Sequence, residues 1–158
     1  MWGLRAAGQG PLVIGHRGAS AVEPENSVEA FARARADGVA RVVDRLAAAP
    51  RVLVSSFDPF AVRAWKRRAP SIPAALLFER DLPLPLRRAW SARFLRPAAL
   101  NPEFVLCSRE RIDRWHERGY AVNVWTVDGE GPIRACREMQ VDGVITNDPA
   151  RTREILGR

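Results

Sequence analysis

His16 and Arg17 stand side by side between Gly15 and Gly18, and Glu25 and Asn26 follow one short loop later. An imidazole gives or takes a proton near neutral pH, and a guanidinium binds phosphate oxygens in a fixed fork geometry. A carboxylate and an amide nearby add polar contacts. The four residues therefore suit chemistry on a phosphate-bearing molecule.

The elements around them place all four in one loop. Leu12-Val13-Ile14 reads as a short buried strand, and Gly15 lets the chain leave the sheet where a side chain would obstruct. Pro24 precedes Glu25 and Asn26, and an amphipathic run begins near Ser27, so Asn26 or Ser27 is the expected N-cap of a helix.

Strand and helix signals then alternate to the end. Apolar residues from Val28 to Leu46 recur at helical spacing across Gly38, as one bent rod or two helices. Strands are expected at 51–56, 74–78, 104–107, 120–127 and 143–146. Helices are expected at 60–69, 84–95, 109–118 closed by Gly119, 132–139 and 149–156. This alternation means a parallel sheet with helical crossovers.

The chain has 158 residues, 47% of them hydrophobic and 27% charged, which is ordinary for one globular domain. The net charge of +7 comes almost wholly from arginine, Lys66 being the single lysine. The arginines read as scattered over most helices, with Lys66-Arg67-Arg68 and Arg87-Arg88 as solvated helix faces. No nucleic-acid motif accompanies them, although the charge would attract an anionic substrate. Cys107 and Cys136 sit among apolar neighbours as expected buried thiols, with no disulfide or metal framework. Met1 to Gly10 lacks a long apolar stretch and no run approaches membrane-spanning length, so a cytoplasmic location is the default expectation.

The His16-Arg17-Gly18 and Pro24-Glu25-Asn26 blocks, together with 122–127 (VNVWTV) and 141–149 (VDGVITNDP), resemble the glycerophosphodiester phosphodiesterase family. Blocks at 52–59 and 75–78 agree in order. The resemblance implies a (β/α)8 barrel, which takes about 250 residues. It also implies a second strand with Glu-x-Asp, a third with His-Asp and a fourth with Glu-x-Lys or similar, and none of these is identified in this sequence. The expected architecture is therefore one domain over 1–158, lacking the second to fourth barrel strands, with a join near 39–41. Its sheet would be open and TIM-barrel-like, with about five parallel strands in the family order five-six-seven-eight-one. Exposed sheet edges would then favour self-association.

The family reaction implied is metal-dependent hydrolysis of a glycerophosphodiester to glycerol 3-phosphate and an alcohol. By resemblance, His16 is a residual acid/base, Arg17 a phosphate binder, Glu25 and Asn26 local organisers or polar substrate contacts, and Trp125 a substrate-side aromatic. The divalent metal, Mg²⁺ or Ca²⁺, would be held in the family by the missing carboxylates, so no metal ligand is assigned. Asp58, Glu79, Asp128 and Asp148 follow strands but read first as caps and turn formers. Asn147 replaces an Asp often found at that position in the family. His116 reads as a surface helix residue, leaving no partner histidine. The catalytic set is thus incomplete, and a non-catalytic phosphate-binding or interaction remnant is the alternative.

Overall fold

The computed structural model describes the backbone of residues 12–15 and the whole of residues 52–157. Among these residues there are six strands: β1 (Leu12–Gly15), β2 (Val54–Ser56), β3 (Ala74–Phe78), β4 (Ala99–Pro102), β5 (Ala121–Val124) and β6 (Gly143–Thr146). They form one sheet in the order β1-β6-β5-β4-β3-β2, with every pair parallel. Parallel neighbours need crossovers, supplied by α1 (Pro59–Arg68), the short α2 (Leu84–Arg87) and α3 (Ala92–Leu95), α4 (Arg109–Glu117) and α5 (Glu130–Glu138), with α6 (Pro149–Leu156) closing the chain. All strands consequently end at the same edge, and the loops that follow them form one face.

One face of the sheet lies under the helices. Leu76, Phe78 and Leu100 pack with Val62 and Trp65 of α1 and with Ala89 and Ala92. Val122, Val124 and Val144 pack with Ile112 of α4, Ile133 and Cys136 of α5 and Leu156 of α6. Trp115 touches both groups, its ring edge-on to Phe78 at 5.7 Å. Ile112 and Ile133 have no exposed surface, and burying a side chain of that size stabilises by about 1.5–3 kcal/mol. The strand β3, Ala-Ala-Leu-Leu-Phe, is buried on both faces, as its unbroken apolar run requires.

The helix ends follow from local chemistry. Asp58 and Asp148 cap α1 and α6, accepting from Phe60 N at 2.8 Å and Arg151 N at 3.0 Å, and each is followed by a proline. At the end of α4, Gly119 takes φ 83 while its N–H donates to His116 O at 2.8 Å and Tyr120 N to Trp115 O at 3.1 Å. This left-handed closure satisfies carbonyls the helix leaves open.

The open, partial-barrel arrangement implied by the resemblance is the one observed, with one strand more than about five. Strand signals along the sequence also number six, but β4 lies earlier than expected: the strand expected at 104–107 is instead a 3-10 turn, Phe104–Leu106, and the chain pairs at Ala99–Pro102. Asn101 and Pro102 are poor strand formers and mask this strand in the sequence. Pro102 is tolerated at its last position, where its carbonyl still accepts from Trp125 N at 3.1 Å.

Two further expectations need correcting. The helix expected over 84–95 is two pieces, since Ala89 adopts φ 50 and ends α2 through Ala89 N to Leu86 O at 2.9 Å and Trp90 N to Pro85 O at 3.0 Å. The break turns both Ala89 and Ala92 onto the sheet. Lys66 is half-buried and tied down where the sequence suggested a free solvated cation: its Nζ donates to Leu95 O at 2.6 Å and to Arg96 O, capping α3 against α1. Burial and then the neighbouring Arg96 lower its pKa. No helix among the described residues is long and apolar enough to cross a membrane. The helical run across Gly38 and the join near 39–41 lie outside the described residues.

Candidate functional site

Alternation along the strands decides which side chains face away from the helices. Leu100, Val122 and Val124 point under them, so Asn101 and Asn123 point to the opposite face. The register of β4 on β5, Ala99 with Ala121 and Leu100 with Val122, sets these two asparagines opposite each other. Asn123 Nδ2 donates to Asn101 Oδ1 at 3.1 Å, and both side chains are buried. Asn123 Oδ1 is buried with no hydrogen-bond partner, which costs about 1–3 kcal/mol. An unpaired acceptor is thus held on this face, near the ends of the strands.

Above this pair, Glu103 bridges to Trp125 across the same two strands. The Trp125 indole donates to Asn101 O at 2.7 Å and takes the Phe57 ring edge-on at 5.5 Å. Trp125 is half-buried, a fixed aromatic surface at the loop face. Glu103 accepts from Arg80 N at 2.9 Å and pairs with the Arg80 guanidinium at 3.3 Å.

Beside Trp125, the Asp128 carboxylate organises the loop after β6. It accepts from Thr146 Oγ1 at 2.9 Å, from Asn147 N at 2.7 Å and from Asn147 Nδ2 at 2.7 Å. Asn147 and the cap Asp148 are thereby presented at the start of α6, on the same face as Trp125.

Of the residues singled out in the sequence, the described structure therefore contains Trp125, Asp128 and Asn147 on one face. His16, Arg17, Glu25 and Asn26 lie outside the described residues. Asp58 and Asp148 are caps, as expected. Among the described residues Glu79 makes no hydrogen bond or ion pair. A Glu-x-Asp does occur at Glu79-Arg80-Asp81, but it follows β3 and its Arg80 is tied to Glu103. Among the described residues, no three His, Cys, Asp or Glu side chains come together to hold a metal ion. These residues do not fit the divalent cation that the resemblance implies, and no step of the chemistry is routed through it.

His116 is half-buried, not a free surface residue. Its Nε2 lies 2.7 Å from Asp142 Oδ2, which also accepts from Val122 N at 2.8 Å. Asp142 and Val122 stand at the beginnings of β6 and β5, the edge opposite the loop face, so His116 is a clamp there. Cys136 is fully buried and Cys107 half-buried, and burial is the main cause that pushes both thiols up to about 12. Neither is a nucleophile. The asparagine pair was missed in the sequence, where the signal was a polar residue inside each of two apolar strands.

The glycerophosphoryl diester phosphodiesterase family model matches residues 36–151. The chain belongs to that family. A glycerophosphodiester phosphodiesterase of Caldanaerobacter subterraneus is 29% identical over 99 residues, covering 63% of this chain and 40% of the relative. Among solved structures, a chain from Silicibacter pomeroyi described as a glycerophosphoryl diester phosphodiesterase matches with a TM-score of 0.66 at 28% identity, over 82% of this chain and 44% of that one. A phosphodiesterase of Oleispira antarctica, solved with the product sn-glycerol-3-phosphate, matches with a TM-score of 0.57 at 20% identity, over 67% of this chain and 42% of that one. The chain thus spans about two fifths of the curated relatives' length. The family match begins at Ala36, after His16 and Arg17.

Proposed function

We propose that this glycerophosphodiester phosphodiesterase family member binds a phosphate-bearing small molecule at the loop face and hydrolyses glycerophosphodiesters weakly or not at all. The observation that carries the reading is the pairing of β1 with β6. Gly15, the last residue of β1, is in register with Thr146, and His16 and Arg17 follow Gly15 directly in sequence. Asn147, Asp128 and Trp125 belong to that same edge of the sheet.

Hydrolysis of a phosphodiester needs neutralisation of the phosphate, a nucleophile and a proton for the leaving oxygen. Arg17 would hold two phosphate oxygens, and His16 would move a proton. Trp125 would offer its face to the glycerol or alcohol part, and Glu25 and Asn26 would bond its hydroxyls. The carboxylates that hold a divalent metal in the family, and the second histidine, belong to blocks absent from the sequence between Asn26 and Val52. Their absence supports a single domain joined near 39–41 that has lost catalysis and kept phosphate binding. The exposed edges left at β1 and β2 would favour self-association.

Binding of sn-glycerol 3-phosphate, measured by isothermal titration with no added metal, tests the reading. Saturable heat that disappears in Arg17→Ala supports it. The absence of saturable heat with the unaltered chain overturns it.

A further inference from the structure

Residues 60–96 carry nine of the 25 cationic side chains and two of the 18 acidic ones, so this stretch holds the whole net charge of +7 and the remainder balances at 16 of each. The arginines are scattered over every described helix, as the sequence suggested, but the uncompensated positive charge is concentrated on the helices over β2, β3 and β4 and their flanking turns. Farther along the chain two arginines are paired along their own helix, Arg109 with Asp113 at 3.0 Å and Arg134 with Glu130 at 2.8 Å. Of the nine cations here only Arg80 has a carboxylate partner, Glu103.

Large apolar side chains stand among these unpaired charges. Phe60 is 79% exposed, Phe94 88% and Trp90 53%. On α1, Phe60, Arg63 and Arg67 fall at the spacing of one helix face, while Val62 and Trp65 bury the other. In α3 and the turn that leads into it, Trp90, Arg93 and Phe94 share a face, while Ala89 and Ala92 lie against the sheet. Lys66 ties the two elements together through the carbonyls of Leu95 and Arg96. Both faces thus point outward from one side of the molecule.

We propose that this face docks on a bilayer surface bearing anionic headgroups. Aromatic side chains favour the boundary between headgroups and acyl chains, and arginines beside them gain from the negative surface potential. Phe60 and Phe94 project almost fully from their helices, which suits a fluid surface that closes around each ring. Charge selects the anionic lipid, and the rings supply the apolar part of the attachment. This reading is independent of what the loop face binds.

The test is co-sedimentation of the full chain with vesicles of phosphatidylcholine alone and of phosphatidylcholine with phosphatidylglycerol. The expected result is partition at least about tenfold stronger onto the anionic vesicles, weakening as salt is raised. Phe94→Ser and Trp90→Ser remove exposed side chains, so the fold survives, and each should lower the partition by about tenfold. Arg93→Glu with Arg63→Glu should abolish the preference for anionic lipid. Three results would overturn the proposal. One is equal partition onto both vesicles or none. Another is a partition unchanged in Phe94→Ser. The third is that Phe94→Ser instead abolishes self-association or oligonucleotide binding in the absence of lipid, making a second copy or a nucleic acid the occupant.

Discussion

The Trp125 indole donates to the Asn101 carbonyl at 2.7 Å, from the end of one parallel strand to its neighbour, and so fixes an aromatic face directly above the Asn101–Asn123 pair. Trp125→Phe keeps a ring against Phe57 but removes that donor. The expected cost is about 1 kcal/mol, the net worth of a typical hydrogen bond, read as a lower urea midpoint with unchanged slope. Trp125→Ala should cost more, because the contact with Phe57 goes as well. A urea midpoint for Trp125→Phe equal to that of the unaltered chain would show that the indole N–H contributes nothing.

Asp128 is the acceptor on which the loop after β6 is built. Asp128→Ala removes one acceptor from the Thr146 hydroxyl and from the exposed Asn147 amide groups, at an expected cost of about 1 kcal/mol. Hydrogen exchange at the Asn147 amide should accelerate markedly while the amides of β5 stay protected. Asp128→Asn keeps an acceptor and should fall between the two.

Gly119 isolates a backbone effect, since its φ is 83 and a methyl group there would meet nothing within 4 Å. Gly119→Ala should therefore cost about 1 kcal/mol through left-handed strain alone. In a chain of this length that corresponds to a fall of about 2–4 °C in Tm.

Burial pushes the Cys107 and Cys136 thiols from an ordinary 9.0 up to about 12. The folded chain holds these protons while the unfolded chain releases them above pH 9.0, so the contribution to stability is complete below that pH and is lost as pH rises from 9.0 towards about 12. The two thiols are shifted alike and should contribute alike to the loss. Cys136→Ala should flatten the alkaline decline in urea-denaturation stability. Both thiols should react with a disulfide reagent slowly in the folded chain at pH 8 and rapidly in urea, Cys107 being the faster of the two when folded.

Much of this fold could be read because local signals agreed with the packing. The strands 74–78 and 143–146 and the helix 149–156 appear with the limits expected, since Asp-Pro marks the helix start and unbroken apolar runs mark buried parallel strands. Strand β4 was hidden by Asn101 and Pro102, whose pairing depends on neighbours distant in sequence. The split at Ala89 was hidden for a related reason: a left-handed alanine is chosen by the burial of Ala89 and Ala92 and not by local propensity. At the loop face, Trp125 was recognised by its motif. The Asn101–Asn123 pair becomes visible only when the register sets the two side chains opposite each other. Lys66 looked like one cation in a solvated run, and only the approach of α3 gives it two carbonyls to cap.

Turnover bears most directly on whether this family member has kept binding and lost catalysis. The measurement is release of glycerol 3-phosphate from a glycerophosphodiester in a coupled assay with Mg²⁺ or Ca²⁺, using a full-length family enzyme as the positive control. Losing members of a catalytic set that acts as a unit removes rate enhancement of order 10³-fold or more, so release should stay at least that far below the control and be unchanged in His16→Ala. Metal-dependent release approaching the control, and abolished by His16→Ala, would contradict the impaired reading.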